Sequence, residues 1–190
     1  MRATQVLTSQ LHGINAFLHE IAADLTDEEW TARAVPGTNL LGYTLWHMPR
    51  TQDWAVHTAI RGVPEVVDDG RWSGLGGPRS SGIGICIALA EADRIARSVA
   101  RSDVIAYADA VHQAVCAWLS AVGDDDLDTI PDVAAHLAPY AAYREPAFQA
   151  EVAGMIGHPV AEWIISPCVE HLRDHLSEAN LLKMVLRGAA

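Results

Sequence analysis

Leu7, Leu11, Ile14, Leu18, Ile21 and Leu25 follow one another at alternating spacings of four and three. An α-helix turns once every 3.6 residues, so these side chains fall on one stripe. A strand would scatter them over both faces, because its side chains alternate with a period of two. Residues 4–25 are therefore predicted as an amphipathic helix with one face toward a core. Thr26 and Glu29 have the spacing of a capping box for a short helical turn beyond it. The cluster RAVPGTN (33–39) then breaks the helix.

The same reading extends along the chain. A second helix is expected from Asn39 or Leu40 to about Arg61, with Leu41, Leu45, Met48, Ala55 and Ala59 on one face and Leu40, His47 and Trp54 on the next. Pro49 lies inside it and removes the N–H that would bond the carbonyl of Leu45, which predicts a kink just after His47. Residues 62–82, with the glycine-rich run GLGGPRSSG, form a long loop of the kind that often carries function. A third helical region is expected over 84–121. It is divisible at ARSD, where Ser102 or Asp103 can cap a helix from Val104, and carries the stripe Ile105, Ala108, Val111, Val115 and Leu119. GDDDLDTIPD ends it, and its acidic spacing is wrong for a calcium loop. One short helix is expected near 145–155, and a last one from about Pro159 to Arg187, stopped by Gly188. Pro167 either kinks this helix or begins its second half. Four main helices in one domain over residues 1–190 point to an all-α, up-and-down four-helix bundle with long connections.

Composition narrows the function. Half of the residues are hydrophobic, as in a globular chain. The net charge of −11 repels phosphate backbones and argues against nucleic acid as a partner. The longest apolar run, roughly Ile83 to Ala90, is too short to span a membrane, and the N-terminus shows no secretory signal. Cys86, Cys116 and Cys168 are odd in number and form no C-x-x-C pair, so a reduced, cytoplasmic protein is expected. Lys183 is the only lysine among 13 basic residues, an arginine bias typical of a GC-rich genome.

The last helix holds the candidate site. Its stripe reads Ile164, Cys168, His171, His175, Glu178, Leu182, Val185: apolar at both ends and polar in the middle. Burying such groups without partners costs about 1–3 kcal/mol each. A metal ion satisfies them, since residues at i and i+4 share one face of a helix. The plainer reading is one solvent-facing histidine and one hydrogen-bonded core histidine. Among the other histidines, His47 is the expected third ligand, because it lies mid-helix between Trp46 and Trp54. His57 is expected at the rim, and His12 and His19 exposed off the first stripe. His112, His136 and His158 have no histidine neighbour at ligand spacing. Glu178 is a candidate fourth ligand, imidazole partner, general base or surface residue, and Cys168 is either a soft ligand or core.

LLGYTLWHMPRTQDWAV, SDVIAYADAVHQAVCAWLSAVGDDDLD and VEHLRDHLSEANLLKMVLRG occur in the order and spacing of the DinB/YfiT-like superfamily of metalloenzymes. The first resembles its G-x-x-x-W-H helix, the second its third helix with an acidic turn, and the third its histidine-bearing last helix ending in glycine. The resemblance covers about 7–188. It implies a four-helix bundle with a metal on His47, His171 and His175. Departures include Asp174, Leu176-Ser177, Pro49 and Pro167, all of which bear on pocket shape.

The resemblance further implies a divalent ion, zinc by default with nickel, iron or manganese as alternatives. Three neutral imidazoles leave such an ion its full charge and open positions, which suits a Lewis acid acting on a thiol or water. Family members use a low-molecular-weight thiol, mycothiol or bacillithiol, for S-transfer or isomerisation of a small-molecule substrate. The arginine bias looks actinobacterial and favours mycothiol. Arg50 and Arg71 are candidate contacts for a carboxylate or sugar, with Arg50 alternatively a solvated helix residue. Family bundles also frequently form homodimers. The competing expectations are metal-dependent hydrolysis with Glu178 as base, and a non-catalytic metal-binding stress protein.

Overall fold

The computed structural model describes residues 2–75 and 82–188, so part of the glycine-rich run GLGGPRSSG, residues 76–81, lies outside the described residues. Among the described residues the secondary structure is entirely helical. The elements are α1 (Ala3–Ala22), α2 (Asp27–Thr31), α3 (Leu41–Asp53), α4 (Leu89–Ser98), α5 (Arg101–Ala121), α6 (Val133–Leu137), α7 (Pro146–Val152), α8 (Val160–Ile164) and α9 (His171–Leu186). Short 3₁₀ turns fill several connections, including Val66–Asp68 and Gly70–Trp72 in the expected loop.

α1 packs on α5 and α9, and α3 packs on the same two helices from the other side, so the long segments close around one core. The expected α1 stripe is buried in full, from Leu7 through Leu25. The start of α1 is fixed by Asp124, whose carboxylate accepts from the backbone N–H groups of Ala3 and Thr4. It satisfies donors that a helix N-terminus leaves open. The Thr26–Glu29 capping box forms as expected and opens α2. On α5 the buried set is Val104, Tyr107, Ala108, Val111, Val115 and Leu119, with Ile105 only half-buried. α4 and α5 are separate helices divided at Val99 and Ala100, earlier than a cap at Ser102 or Asp103 would place the break.

α3 departs most from an amphipathic pattern, because every one of its residues is buried. It is the central helix, covered also by α2 and α4. The α-helix continues past Pro49, although that residue has no N–H for the Leu45 carbonyl, and a wider turn lies further on, in a π-helical stretch (Trp54–Ile60). A second π stretch (Ile165–Glu170) joins α8 to α9 and contains Pro167. The proline therefore starts no new helix. It sits where the wider turn already departs from the i→i−4 ladder that proline disrupts. Beyond this stretch the buried positions of α9 are Leu172, Leu176, Ala179 and Leu182. His171, His175 and Glu178 lie beside that stripe rather than within it, and each is half-buried.

Candidate metal centre

His47 occupies the middle of α3, where its neighbours leave it 4 % exposed. Across from it, α9 presents His171 and His175 one turn apart. His47 Nε2 stands 3.1 Å from His171 Nε2. The three rings are mutually near-perpendicular, with centroids 4.4–5.2 Å apart. Each offers one ligand nitrogen, and these nitrogens all lie within 4.8 Å of one another. Two nitrogens ~2.05 Å from one zinc ion at a tetrahedral angle are about 3.3 Å apart. The donor set therefore fits a divalent transition metal in both chemistry and spacing.

The surroundings set the tautomers. His47 Nδ1–H donates to the carbonyl of Ile83, so Nε2 faces the other histidines with its lone pair. His175 Nδ1 lies 3.3 Å from Glu178 Oε2, which leaves Nε2 of that ring for the site. Burial pushes the His47 pKa down to about 3, with His175 adding to the fall and the Ile83 carbonyl opposing it. Burial and His175 likewise lower His171, to about 4. Both rings are thus neutral near pH 7, the form that binds metal.

The Ile83 contact belongs to a larger clamp. Tyr43, His47 and Arg50 project from α3 and engage three successive carbonyls: Tyr43 Oη bonds Gly84, His47 bonds Ile83, and Arg50 Nη2 bonds Gly82 at 3.1 Å. Gly82 and Gly84 have φ of +55° and +92°. A Cβ on Gly84 would meet Tyr43 Oη at 2.7 Å, so the close approach needs glycine. Segment 82–84 is held along α3, and the chain from Gly84 through Cys86 forms one wall of a cavity of about 270 Å³. His47, His171 and His175 line that cavity with Asn39, Tyr43, Gly84, Ile85, Cys86 and Glu151. Burial pushes the Tyr43 phenol up to about 12, so it remains a hydrogen-bond donor.

Arg50 is not the solvated residue weighed as one alternative. It is wholly buried, and Nη1 lies 2.8 Å from Glu65 Oε2, 3.0 Å from Tyr107 Oη and 3.6 Å from Asp53 Oδ2. Burial disfavours its charge, but Tyr107 and the two carboxylates outweigh that and hold the guanidinium protonated. Arg71 is exposed, with its guanidinium 4.1 Å over the Trp72 ring and outside the set lining the cavity. His57 is buried rather than at a rim, and its Nδ1 lies 2.8 Å from Asp53 Oδ1. Cys168 is fully buried in the core, and burial pushes its thiol pKa well up. Glu178 lies outside the residues lining the cavity, where the carboxylate is Glu151 of α7. Sequence reasoning missed Tyr43, Cys86 and Glu151. Only Tyr43 had a signal, one turn before His47 on the same helix.

A helical fold with three imidazoles converging on an open cavity defines a candidate metalloprotein of the all-α class. The sequence pattern of the DinB superfamily matches residues 10–179, and the chain belongs to that superfamily. No curated protein matches the chain. Among solved structures it is similar to a conserved protein from Enterococcus faecalis, at 15 % identity, 99 % coverage of each chain and a TM-score of 0.66, which shows a shared fold. No helix of the described residues is long and apolar enough to cross a membrane.

Proposed function

We propose that His47, His171 and His175 hold one divalent metal ion, and that the protein uses it to activate a low-molecular-weight thiol toward a small electrophile. The observation that carries this reading is the convergence of three imidazoles on a cavity open to solvent. A bound zinc-class ion supplies Lewis acidity there, lowering the pKa of a thiol or water. The chain's own residues do the positioning. The Ile83 carbonyl and Glu178 fix His47 and His175 through their outward nitrogens. Tyr43, Asn39 and Glu151 border the space a small substrate would enter. A cavity of about 270 Å³ suits a small molecule. The arginine-rich composition favours mycothiol over bacillithiol, and S-transfer or isomerisation is the reaction class. Glu178 is better placed to orient His175 than to act as a general base, which weighs against hydrolysis.

The test is a thiol-consumption assay with metal-loaded protein and a panel of electrophiles, run beside elemental analysis of protein purified without a metal column. Stoichiometric metal with turnover that requires thiol is the expected result. Turnover without thiol that is lost on chelation would shift the reading to hydrolysis. Metal with no turnover would leave a binding protein, and only trace metal would remove both catalytic readings.

A further inference from the structure

The sequence leaves His112 without a histidine at ligand spacing, but the fold supplies one from α1. His12 Nδ1 stands 2.9 Å from His112 Nε2, across the α1–α5 contact. Cys116 Sγ lies 3.7 Å from each nitrogen of the His112 ring. His112 and Cys116 are four apart on α5, so one helical face presents both. The donor atoms of His12, His112 and Cys116 all lie within 4.8 Å of one another. This cluster shares no residue and no helix with the three-histidine centre on α3 and α9.

We infer that His12, His112 and Cys116 form a second metal site, for a borderline-soft divalent ion of the zinc class. Around a tetrahedral zinc ion, two imidazole nitrogens are about 3.3 Å apart and a nitrogen and a thiolate sulfur about 3.6 Å. The separations of 2.9 and 3.7 Å are close to both values. A sulfur with two imidazoles disfavours calcium and magnesium, which take oxygen ligands. His12 is exposed and lines an open groove, which leaves room for water as a fourth ligand.

The setting favours the ligating form of His112, whereas Cys116 must lose a proton to bind. Burial, then the neighbouring His12, lowers the His112 pKa and keeps that ring neutral. Asp109, one turn before His112, accepts from Asn15 at 3.2 Å and lies 2.7 Å from His19 Nε2. Its carboxylate places negative charge beside the cluster. Partial burial pushes the Cys116 thiol pKa up, so the sulfur carries its proton until an ion arrives. Binding then breaks the S–H bond, releases the proton to solvent and forms the metal–sulfur bond. The hydrogen bond between His12 and His112 opens, and the N–H proton it used passes to the other nitrogen of the same ring. The ion would join α1 to α5, so the site serves as a structural staple independent of the chemistry at His47.

Titration of the metal-free, full-length protein with Co(II), followed by Zn(II), tests the inference. The expected result is a near-ultraviolet thiolate-to-cobalt charge-transfer band, which an all-histidine site cannot give. The band should vanish in Cys116→Ser and persist in Cys86→Ser and His171→Ala. His12 is exposed, so His12→Ala leaves the core intact; its affinity should fall by more than the roughly tenfold minimum for losing only an outer partner of a ligand. Absence of the band in the native protein, or its survival in Cys116→Ser, overturns the inference. Undiminished affinity in His12→Ala does the same. One equivalent of ion carrying the band would uphold this site while removing the three-histidine one.

Discussion

At the residue scale the centre depends on how each imidazole is held. His47 is pinned through Nδ1 to Ile83, and His175 through Nδ1 to Glu178. His47→Ala should abolish stoichiometric metal uptake at the three-histidine centre, read by equilibrium dialysis in a Cys116→Ser background. Glu178→Ala removes only an outer partner and should weaken affinity by roughly 10–100-fold. Acid should also act through His47. Its folded pKa, near 3, lies below the ordinary value of 6.5, so between these values the unfolded chain binds a proton that the folded chain refuses. Stability of the metal-free protein therefore falls as pH drops below about 6.5, with a slope approaching about 1.4 kcal/mol per pH unit from His47. His171 adds to the fall, reduced by its partial exposure. Urea unfolding at pH 7.5 and 5 reads this above the carboxylate range, and His47→Gln should flatten the dependence.

At the element scale α3 decides the architecture. Its burial on all sides forces Arg50, Asp53 and Glu65 to satisfy one another inside the protein. Burial pushes the Asp53 carboxyl up, but His57 and Arg50 outweigh it and hold the pKa below the usual range. Arg50→Ala removes the buried cation that both carboxylates face, leaving them only their hydrogen-bond donors and His57, and a loss of about 3–5 kcal/mol in chemical denaturation is expected. Gly84→Ala tests the clamp. Its φ of +92° and the contact with Tyr43 predict a loss of about 1–3 kcal/mol, with weaker metal binding as the Ile83 carbonyl shifts from His47. The α1 stripe was legible because a single face met a single core. The all-round burial of α3 was not, because Arg50, Thr51, Gln52 and Asp53 read as a polar face until their partners are known. The two π stretches were also hidden, since a 3.6-residue period assumes the ladder they interrupt. That is why a stripe drawn from Ile164 to Val185 set the histidines in the core, whereas the core positions after the π stretch are Leu172, Leu176 and Ala179.

At the scale of the whole molecule, the proposed metal binding would be linked to folding, because the unfolded chain does not bring α3 and α9 together. Free metal at 100 times its Kd should stabilise the protein by about 2.7 kcal/mol, seen as a rise in Tm that a chelator reverses. A Tm indifferent to metal would mean that neither cluster binds an ion. By itself the sequence determined that the chain is helical, where its principal helices lie and which histidines share the last one. Periodicity and capping are local, and each is written within a few turns of chain. Only the tertiary structure set His47 Nε2, the expected third ligand, 3.1 Å from His171 Nε2, and decided that Arg50 and His57 are interior and that His12 meets His112. Those outcomes depend on which helix faces oppose one another and on two wide turns that change their phase, and neither is encoded in the spacing of apolar residues along one helix.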